Sequence, residues 1–456
     1  MRFSDLPRVP ELHCRLRPDC ALSRSVDGTF FVLRRPRGML LPFAPYEEAF
    51  AAALDRLPAG AHASELRDLA VAAGGPDRAS AFMIVLRRLA CAGFVEFPLH
   101  DAAGERAVLL PQHAAFVPSL AEEPAAGVGL DRFAFIRRDD RGWLLESPLA
   151  GARLSFSDLA ALETSVVRRA LASAGFLNLP EKHSLRREAL EQWEFHDLAF
   201  HCHHREGWHH DPMGATFPHR GRIPPLAAVR PPWDGDRTAL PAAASDHGGR
   251  SLVDVLAMRA SHRSYDPDRP ISLGDIGALF DRAARIRCGR SMPAAMGNRW
   301  DGMRKVQRPY PTGGACGELE LYLAVDRAAD VQPGLYHYDA EGHALVRISG
   351  PTPAVEALLA DARTSAGGIA ATQTLVIVTA RFARVMWKYS SIAYATILRD
   401  TGVLYQTLYL AATDLGLSPC ALGKGNAATF AEATGLDPVV EGSVGEFLVG
   451  GRPWSR

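Results

Sequence analysis

Two adjacent residues, Lys388 and Tyr389, are of types that move protons, and three others, Arg259, Ser261 and Arg263, are of types that hold an anion. Free lysine and tyrosine titrate at about 10.4 and about 10. Either therefore acts as a base at neutral pH only if its surroundings shift it downward. Burial does this to an ammonium and the reverse to a phenol, which favours Lys388 as the base with Tyr389 orienting it or polarising the substrate ring. Neighbours diverge by about 100° on a helix and point to opposite faces of a strand, so both serve one site only from a turn or a helix start. The bland alternative is a solvated lysine beside a core tyrosine.

In R-A-S-H-R, Arg259, Ser261 and Arg263 alternate, and in an extended chain alternate side chains project to one side. Two guanidiniums and a hydroxyl directed together suit a phosphate; a solvated basic turn is the other reading. In R-P-Y-P-T-G-G, Pro311, Gly313 and Gly314 bracket Thr312. Paired glycines let a backbone approach a flat ring closely. From Gly402 to Leu417 apolar residues occupy nearly every face, the pattern of a helix inside a core or a subunit interface. Gln406 within it needs a partner if buried. Gly416 and Pro419 stop the helix, and a loop from Ser418 to Gly425 offers backbone N–H groups at Cys420, Ala421 and Leu422. Cys420 itself reads as a small packed residue rather than a nucleophile.

The segments W-K-Y-S-S-I-A-Y and L-R-D-T-G-V-L-Y-Q-T-L-Y-L-A-A-T-D-L-G-L-S-P-C-A-L-G, with R-A-S-H-R-S-Y and R-P-Y-P-T-G-G-A-C-G-E-L-E-L-Y-L before them, together resemble the SagB-type peptide dehydrogenases. These are flavin enzymes of the nitroreductase superfamily that oxidise thiazolines and oxazolines in ribosomally made peptides to thiazoles and oxazoles. The resemblance runs from about residue 246 to the end. It implies FMN as cofactor and Lys388 and Tyr389 as the catalytic pair. It places Arg259, Ser261, Arg263 and Arg452 at the phosphate and ribityl chain, and Pro311, Thr312, Gly313 and Gly314 along the ribityl and ring. Cys420 and Ala421 face the hydride-accepting nitrogen, Leu422 and Gly423 count among the cofactor-binding residues, and Gln406 meets the flavin or the subunit interface. The family usually has Ser where Thr312 stands, which keeps the hydroxyl. Further implications are a homodimer, a modified precursor peptide as substrate, and a cyclodehydratase complex as partner. Two other readings stand beside this one: a same-fold oxidase acting on a carrier-bound or free small molecule, and a catalytically inert flavoprotein scaffold.

The elements that must position these residues fit an α+β chain. The 456 residues carry 51 basic and 51 acidic side chains, with 47% hydrophobic and 22% charged residues, an ordinary globular balance. Zero net charge removes the electrostatic argument for a nucleic-acid partner. Cysteines 14, 20, 91, 202, 288, 316 and 420 contain no C-x-x-C spacing, so neither a disulfide framework nor a zinc ribbon is expected. Without an N-terminal apolar stretch of signal-peptide length or a run long enough to span a membrane, a cytoplasmic protein with no membrane partner is expected.

Residues 29–41 read as two short strands about a turn at Pro36–Gly38, followed by helices at 46–57, 63–73 and 76–92 and a strand at 94–99. The pattern returns in shortened form: Phe31, Arg34, Arg37, Gly38, Leu40 and Leu41 recur as Phe135, Arg138, Arg141, Gly142, Leu144 and Leu145, and L-A-C-A-G-F after Arg87 recurs as L-A-S-A-G-F after Arg169. This predicts two winged-helix-like, peptide-clamp-like modules, at 1–104 and 105–182, before a nitroreductase-like FMN domain at 246–456. Residues 1–100 hold 13 Arg and no Lys against 11 acidic residues, too balanced for DNA. A peptide adding as a strand to one ribbon is the expected partner, with Arg34 and Arg138 placed to meet an acidic leader. A His- and Pro-rich connector, 183–245, contains His196, His201, His203, His204, His209, His210 and His219. A docked connector is favoured over a metal site, since the spacing matches no structural zinc motif.

Overall fold

A computed structural model describes residues 12–24, 30–34, 39–42, 50–112, 116, 118–178, 184–242, 249–287, 303 and 305–452. The chain divides into two compact units, Met1–Pro212 and Met213–Arg456.

In the first unit the elements are β1 (His13–Leu16), β2 (Cys20–Arg24), β3 (Phe30–Arg34), β4 (Met39–Pro42), α1 (Ala51–Arg56), β5 (Ala61–His62), α2 (Ala63–Gly74), α3 (Arg78–Cys91), β6 (Val95–Asp101), β7 (Gly104–Pro111), β8 (Phe135–Asp139), β9 (Gly142–Glu146), β10 (Ala152–Phe156), α4 (Ser165–Ala174), α5 (Ser184–Gln192) and α6 (Phe195–His203). One sheet has the order β5-β1-β6-β7-β10-β9-β8, and β2-β3-β4 form a second. The two stretches read as separate modules therefore contribute strands to one sheet. Both ribbons of the repeat are present as antiparallel pairs, β3 with β4 and β8 with β9, but they lie in different sheets. The first ribbon's turn at Pro36–Gly38 lies outside the described residues. The main core, including Leu54, Phe82, Phe94, Leu154 and Phe176, is accompanied by two small clusters, about Leu110 and about Phe133.

In the second unit the elements are β11 (Arg237–Ala239), α7 (Leu252–Met258), α8 (Leu273–Ala283), β12 (Leu319–Val325), β13 (Gly334–Asp339), β14 (Ala344–Ser349), α9 (Pro353–Ser365), β15 (Thr374–Arg381), α10 (Ala383–Met386), α11 (Ala393–Asp414), β16 (Leu417–Leu422), α12 (Ala427–Thr434) and β17 (Glu441–Gly451). Their sheet has the order β11-β14-β13-β12-β15-β17-β16, antiparallel throughout. Alternation along a strand sends Leu319, Leu321 and Leu323 into the layer under α8 and α11, and Tyr322 and Ala324 into the layer under α9 and α12. Because both faces are covered, β12 is buried at every position. From its sequence alone, the alternation along Glu318–Val325 predicts a half-buried strand; the second covering layer is what buries it fully.

Candidate functional site

Lys388 and Tyr389 sit in the turn that ends α10, where both N–H groups donate to the Val385 carbonyl at 3.0 and 2.9 Å. The segment 214–217 holds that turn. Ser390 and Gly214 exchange backbone bonds, Phe217 N–H donates to Lys388 O at 3.0 Å, and the hydroxyls of Thr216 and Ser390 lie 2.6 Å apart. Lys388 is 8% exposed; its Nζ donates to Gly314 O at 3.4 Å and stands 5.4 Å from the Tyr389 ring centre. Burial pushes the Tyr389 phenol up, against the pull of the neighbouring Lys388. Phe217, Ala315 and Ser391, three of the four non-glycine residues at positive φ among the described residues, surround this turn. Such backbone strain persists only where the surroundings impose it, and it gathers at functional sites.

The glycine pair works by close approach, though to side chains of this chain. A Cβ on Gly314 (φ +61°) would lie 2.3 Å from the Tyr389 hydroxyl and 2.7 Å from Lys388 Nζ, and one on Gly313 would lie 2.1 Å from Thr396 Cγ2 of α11. Gly313 N–H donates to Asp400 Oδ2 at 2.7 Å, and Thr312 Oγ1 accepts from Gly317 N–H at 3.1 Å. Pro311 is exposed at the start of this loop.

Beneath the loop is a feature that no sequence pattern announces. Glu318 is fully buried and Asp400 is 7% exposed. Burial raises Glu318, and the Asp400 carboxylate beside it raises it further; burial also raises Asp400, against the neighbouring Glu318 carboxyl and the hydrogen bond from Gly313 N–H. Two adjacent carboxyl groups shut away from water do not both ionise. The pair therefore retains a proton on Glu318, facing the Asp400 carboxylate that supports Gly313. The two residues are 82 positions apart in sequence, which is why local reasoning misses them.

A second cluster lies near the other end of α11. Tyr409 joins it: its hydroxyl is 2.7 Å from Ser261 Oγ and accepts from Ala421 N–H at 2.8 Å, while the Arg259 guanidinium stands 5.2 Å over its ring. His262 N–H donates to Pro419 O at 2.8 Å. Burial raises the Cys420 thiol against the pull of Arg263, and His262 is lowered by burial and by Arg452. Arg259, Ser261, Arg263 and Arg452 thus gather along β16, and among the described residues no carboxylate pairs with these three arginines. At about 1.5 Å per residue, the nine residues from Asp400 to Tyr409 separate the clusters by about 13 Å along the helix.

Two expectations are corrected. Residues 417–422 form an edge strand paired with β17, with Cys420 opposite Leu448 and Leu422 opposite Glu446. Backbone groups alternate in direction along such a strand. Hence Cys420 and Leu422 turn their N–H groups toward β17, Ala421 gives its own to Tyr409, and Gly423 follows the strand exposed. Secondly, α11 is not buried all round: Gln406 is exposed, as are Tyr394, Leu398 and Val403 on neighbouring turns, and α7 exposes Leu252, Val253 and Leu256. In the histidine-rich stretch, His203 and His209 stack with ring centres 5.1 Å apart. Among the described residues no group of three or more His, Cys, Asp or Glu is placed to hold a metal.

Residues 256–451 match the sequence model of the Nitroreductase family. The second unit thus carries a nitroreductase-family domain. A nitroreductase of Methanocaldococcus jannaschii is 28% identical over 172 residues, covering 38% of this chain and 78% of that protein. The trifolitoxin-processing protein TfxB of Rhizobium leguminosarum bv. trifolii is 29% identical over 152 residues, 32% of this chain and 39% of that protein. Among solved structures, the Escherichia coli microcin synthetase McbBCD complex with truncated pro-MccB17 contains a chain that is 19% identical with a TM-score of 0.35, covering 53% of this chain and 88% of that one. Among the described residues no helix is long and apolar enough to cross a membrane.

Proposed function

We propose that the protein is an FMN-dependent dehydrogenase that oxidises thiazoline or oxazoline rings in a ribosomally made peptide to thiazoles or oxazoles. The observation that carries this reading is the buried Lys388 held with Tyr389 against Gly314 in the α10 turn, beside the Asp400 stretch of α11 and apart from the arginine-rich cluster that meets Tyr409 of that helix. The likeness to a protein named for trifolitoxin processing supports a peptide substrate.

The residues fit an FMN. Arg259, Ser261, Arg263 and Arg452 would hold its phosphate and ribityl chain, and their guanidiniums have no carboxylate partner among the described residues. Pro311, Thr312, Gly313, Gly314 and the strand end Cys420, Ala421, Leu422 and Gly423 would meet the ring. When bound, the flavin supplies a hydride acceptor. Lys388 takes the proton from the azoline α-carbon at Nζ, and the protonated Tyr389 hydroxyl orients the ring. Glu318 and Asp400 hold the loop carrying Gly314 O, and with it the position of Lys388. The exposed apolar faces of α7 and α11, with Gln406, form a homodimer interface.

The first unit selects the peptide, within a cyclodehydratase complex. There β8 ends its sheet beside a cavity of about 440 Å³ lined by Phe135, Arg137, Trp208 and His209, suited to an added strand. The test is purified full-length protein, mixed with an azoline-bearing peptide and followed by mass spectrometry. Yellow protein and loss of two hydrogens per ring are expected; protein that stays colourless with added FMN overturns the reading.

A further inference from the structure

Buried acids in this protein are neutralised in one of two ways, and Glu446 uses neither. Of the eight buried carboxylic acids among the described residues, Glu96, Glu146, Asp281, Glu320 and Glu441 each have an arginine partner, and Glu318 and Asp400 have each other. Glu446, 8% exposed on β17, has no cation partner among the described residues; its side chain meets the Ser443 hydroxyl. An unpaired carboxylate away from water is costly, so its retention needs a reason outside the folded core.

The reason lies in the space it faces. Glu446 lines a cavity of about 370 Å³ with Thr401 and Tyr405 of α11, and no Lys, Arg or His lines it. The backbone is stripped of side chains to let these groups in. A Cβ on Gly425 would fall 2.0 Å from both Glu446 carboxyl oxygens, and one on Gly445 would fall 2.2 Å from the Tyr405 hydroxyl. Burial keeps the Tyr405 phenol protonated and raises Glu446 against the hydrogen bond from Ser443. Gly402, Gly423 and Gly425 at the mouth are exposed. At more than ten times the roughly 30 Å³ share of one water, the cavity admits a whole side chain.

We propose that this cavity is a cation subsite that receives a lysine or arginine side chain of the peptide substrate, with Glu446 as its counter-charge. The occupant's origin rests on the peptide reading above; the subsite does not. The ammonium or guanidinium supplies the missing positive charge and donates to the carboxylate. The cavity adjoins Leu422 and Gly423 at the end of β16, so the basic residue would fix which ring of the peptide is presented there.

The experiment is ligand-observed NMR on full-length protein with three probes that share a butyl chain: n-butylammonium, n-butylguanidinium and n-butanol. A hydrogen bond to a charged group contributes about 1.5–3 kcal/mol, so the cations should bind at least about tenfold more tightly than the alcohol. Glu446→Gln should bring them down to the alcohol's level. Ala427→Leu, which enlarges an exposed α12 side chain on the cavity lining and suits the helix, should weaken all three probes while leaving Glu446 intact. This second variant decides the matter if Glu446→Gln does not fold. Equal binding of alcohol and cations, cation binding unchanged in either folded variant, or no cation binding by wild type would each overturn the subsite. Binding is read without turnover. Protein that binds the cations yet forms no azole therefore keeps the subsite and loses the dehydrogenase reading.

Discussion

The two ends of α11 hold their polar groups in opposite ways. Around Asp400 the groups are buried and perturb one another: Glu318 and Asp400 are both raised, Lys388 is nearly enclosed, and Tyr389 is pushed up. Around Tyr409 the charges lie nearer the surface, with Arg263 exposed and Arg259 over an aromatic face. Desolvation changes which protonation state is favoured, whereas an exposed guanidinium stays charged and only needs aiming. On the proposed reading, the first end exchanges a proton and the second holds a fixed anion.

Substituting one residue at each end separates these roles. Lys388→Ala should lower azole formation by about 100- to 10,000-fold, the usual contribution of a general base, with bound FMN unchanged in the absorbance of the purified protein; near-normal turnover would remove Lys388 from the chemistry. Arg263→Ala should do the reverse. Losing a charge-assisted bond of about 1.5–3 kcal/mol should weaken FMN about ten- to a hundredfold in a fluorescence titration, while turnover at saturating FMN stays within a few-fold. Tyr409→Phe removes only a neutral hydroxyl that serves Ser261 and Ala421. At about 1 kcal/mol the expected loss in FMN affinity is about fivefold, and a loss as large as that of Arg263→Ala would make Tyr409 more than a spacer.

The smallest effect concerns the buried pair. Glu318 is raised in the folded protein, so the folded state binds the extra proton more tightly than the unfolded chain. Stability from this group is then full below the ordinary glutamate range and is lost as pH climbs from there toward the raised value. Glu318→Gln should flatten the fall in Tm between acid and neutral pH by a few degrees, and a slope identical to wild type would remove the proton from the pair.

What could be read beforehand was what depends on neighbours in sequence. A β-branched run at 374–379 predicts an interior strand, and β15 pairs on both sides. Gly416 stops the helix before it because its φ of +70° is unstrained only in a residue without Cβ. The Lys388–Tyr389 dipeptide requires a turn, and a turn is where the pair stands. Glycines 313 and 314 imply close approach, but which atoms approach is set by α11 and the α10 turn, many residues away. Proline made Ser418–Gly425 look like a loop. At an edge strand the missing N–H faces outward and costs no ladder bond, and whether a strand is an edge is known only once the sheet has assembled.

The amino-acid sequence by itself determined many of the local elements, the lysine–tyrosine neighbours and the arginine–serine alternation, because each rests on spacings of a few residues and on side-chain chemistry. Only the tertiary structure decided which groups lose water and which meet. It set Glu318 beside Asp400, bound the strand edge at Ala421 to Tyr409, left Glu446 without a cation among the described residues, and made 214–217 part of the Lys388 turn. Burial and pairing are properties of groups distant in sequence, and they set the proton affinities on which the chemistry depends.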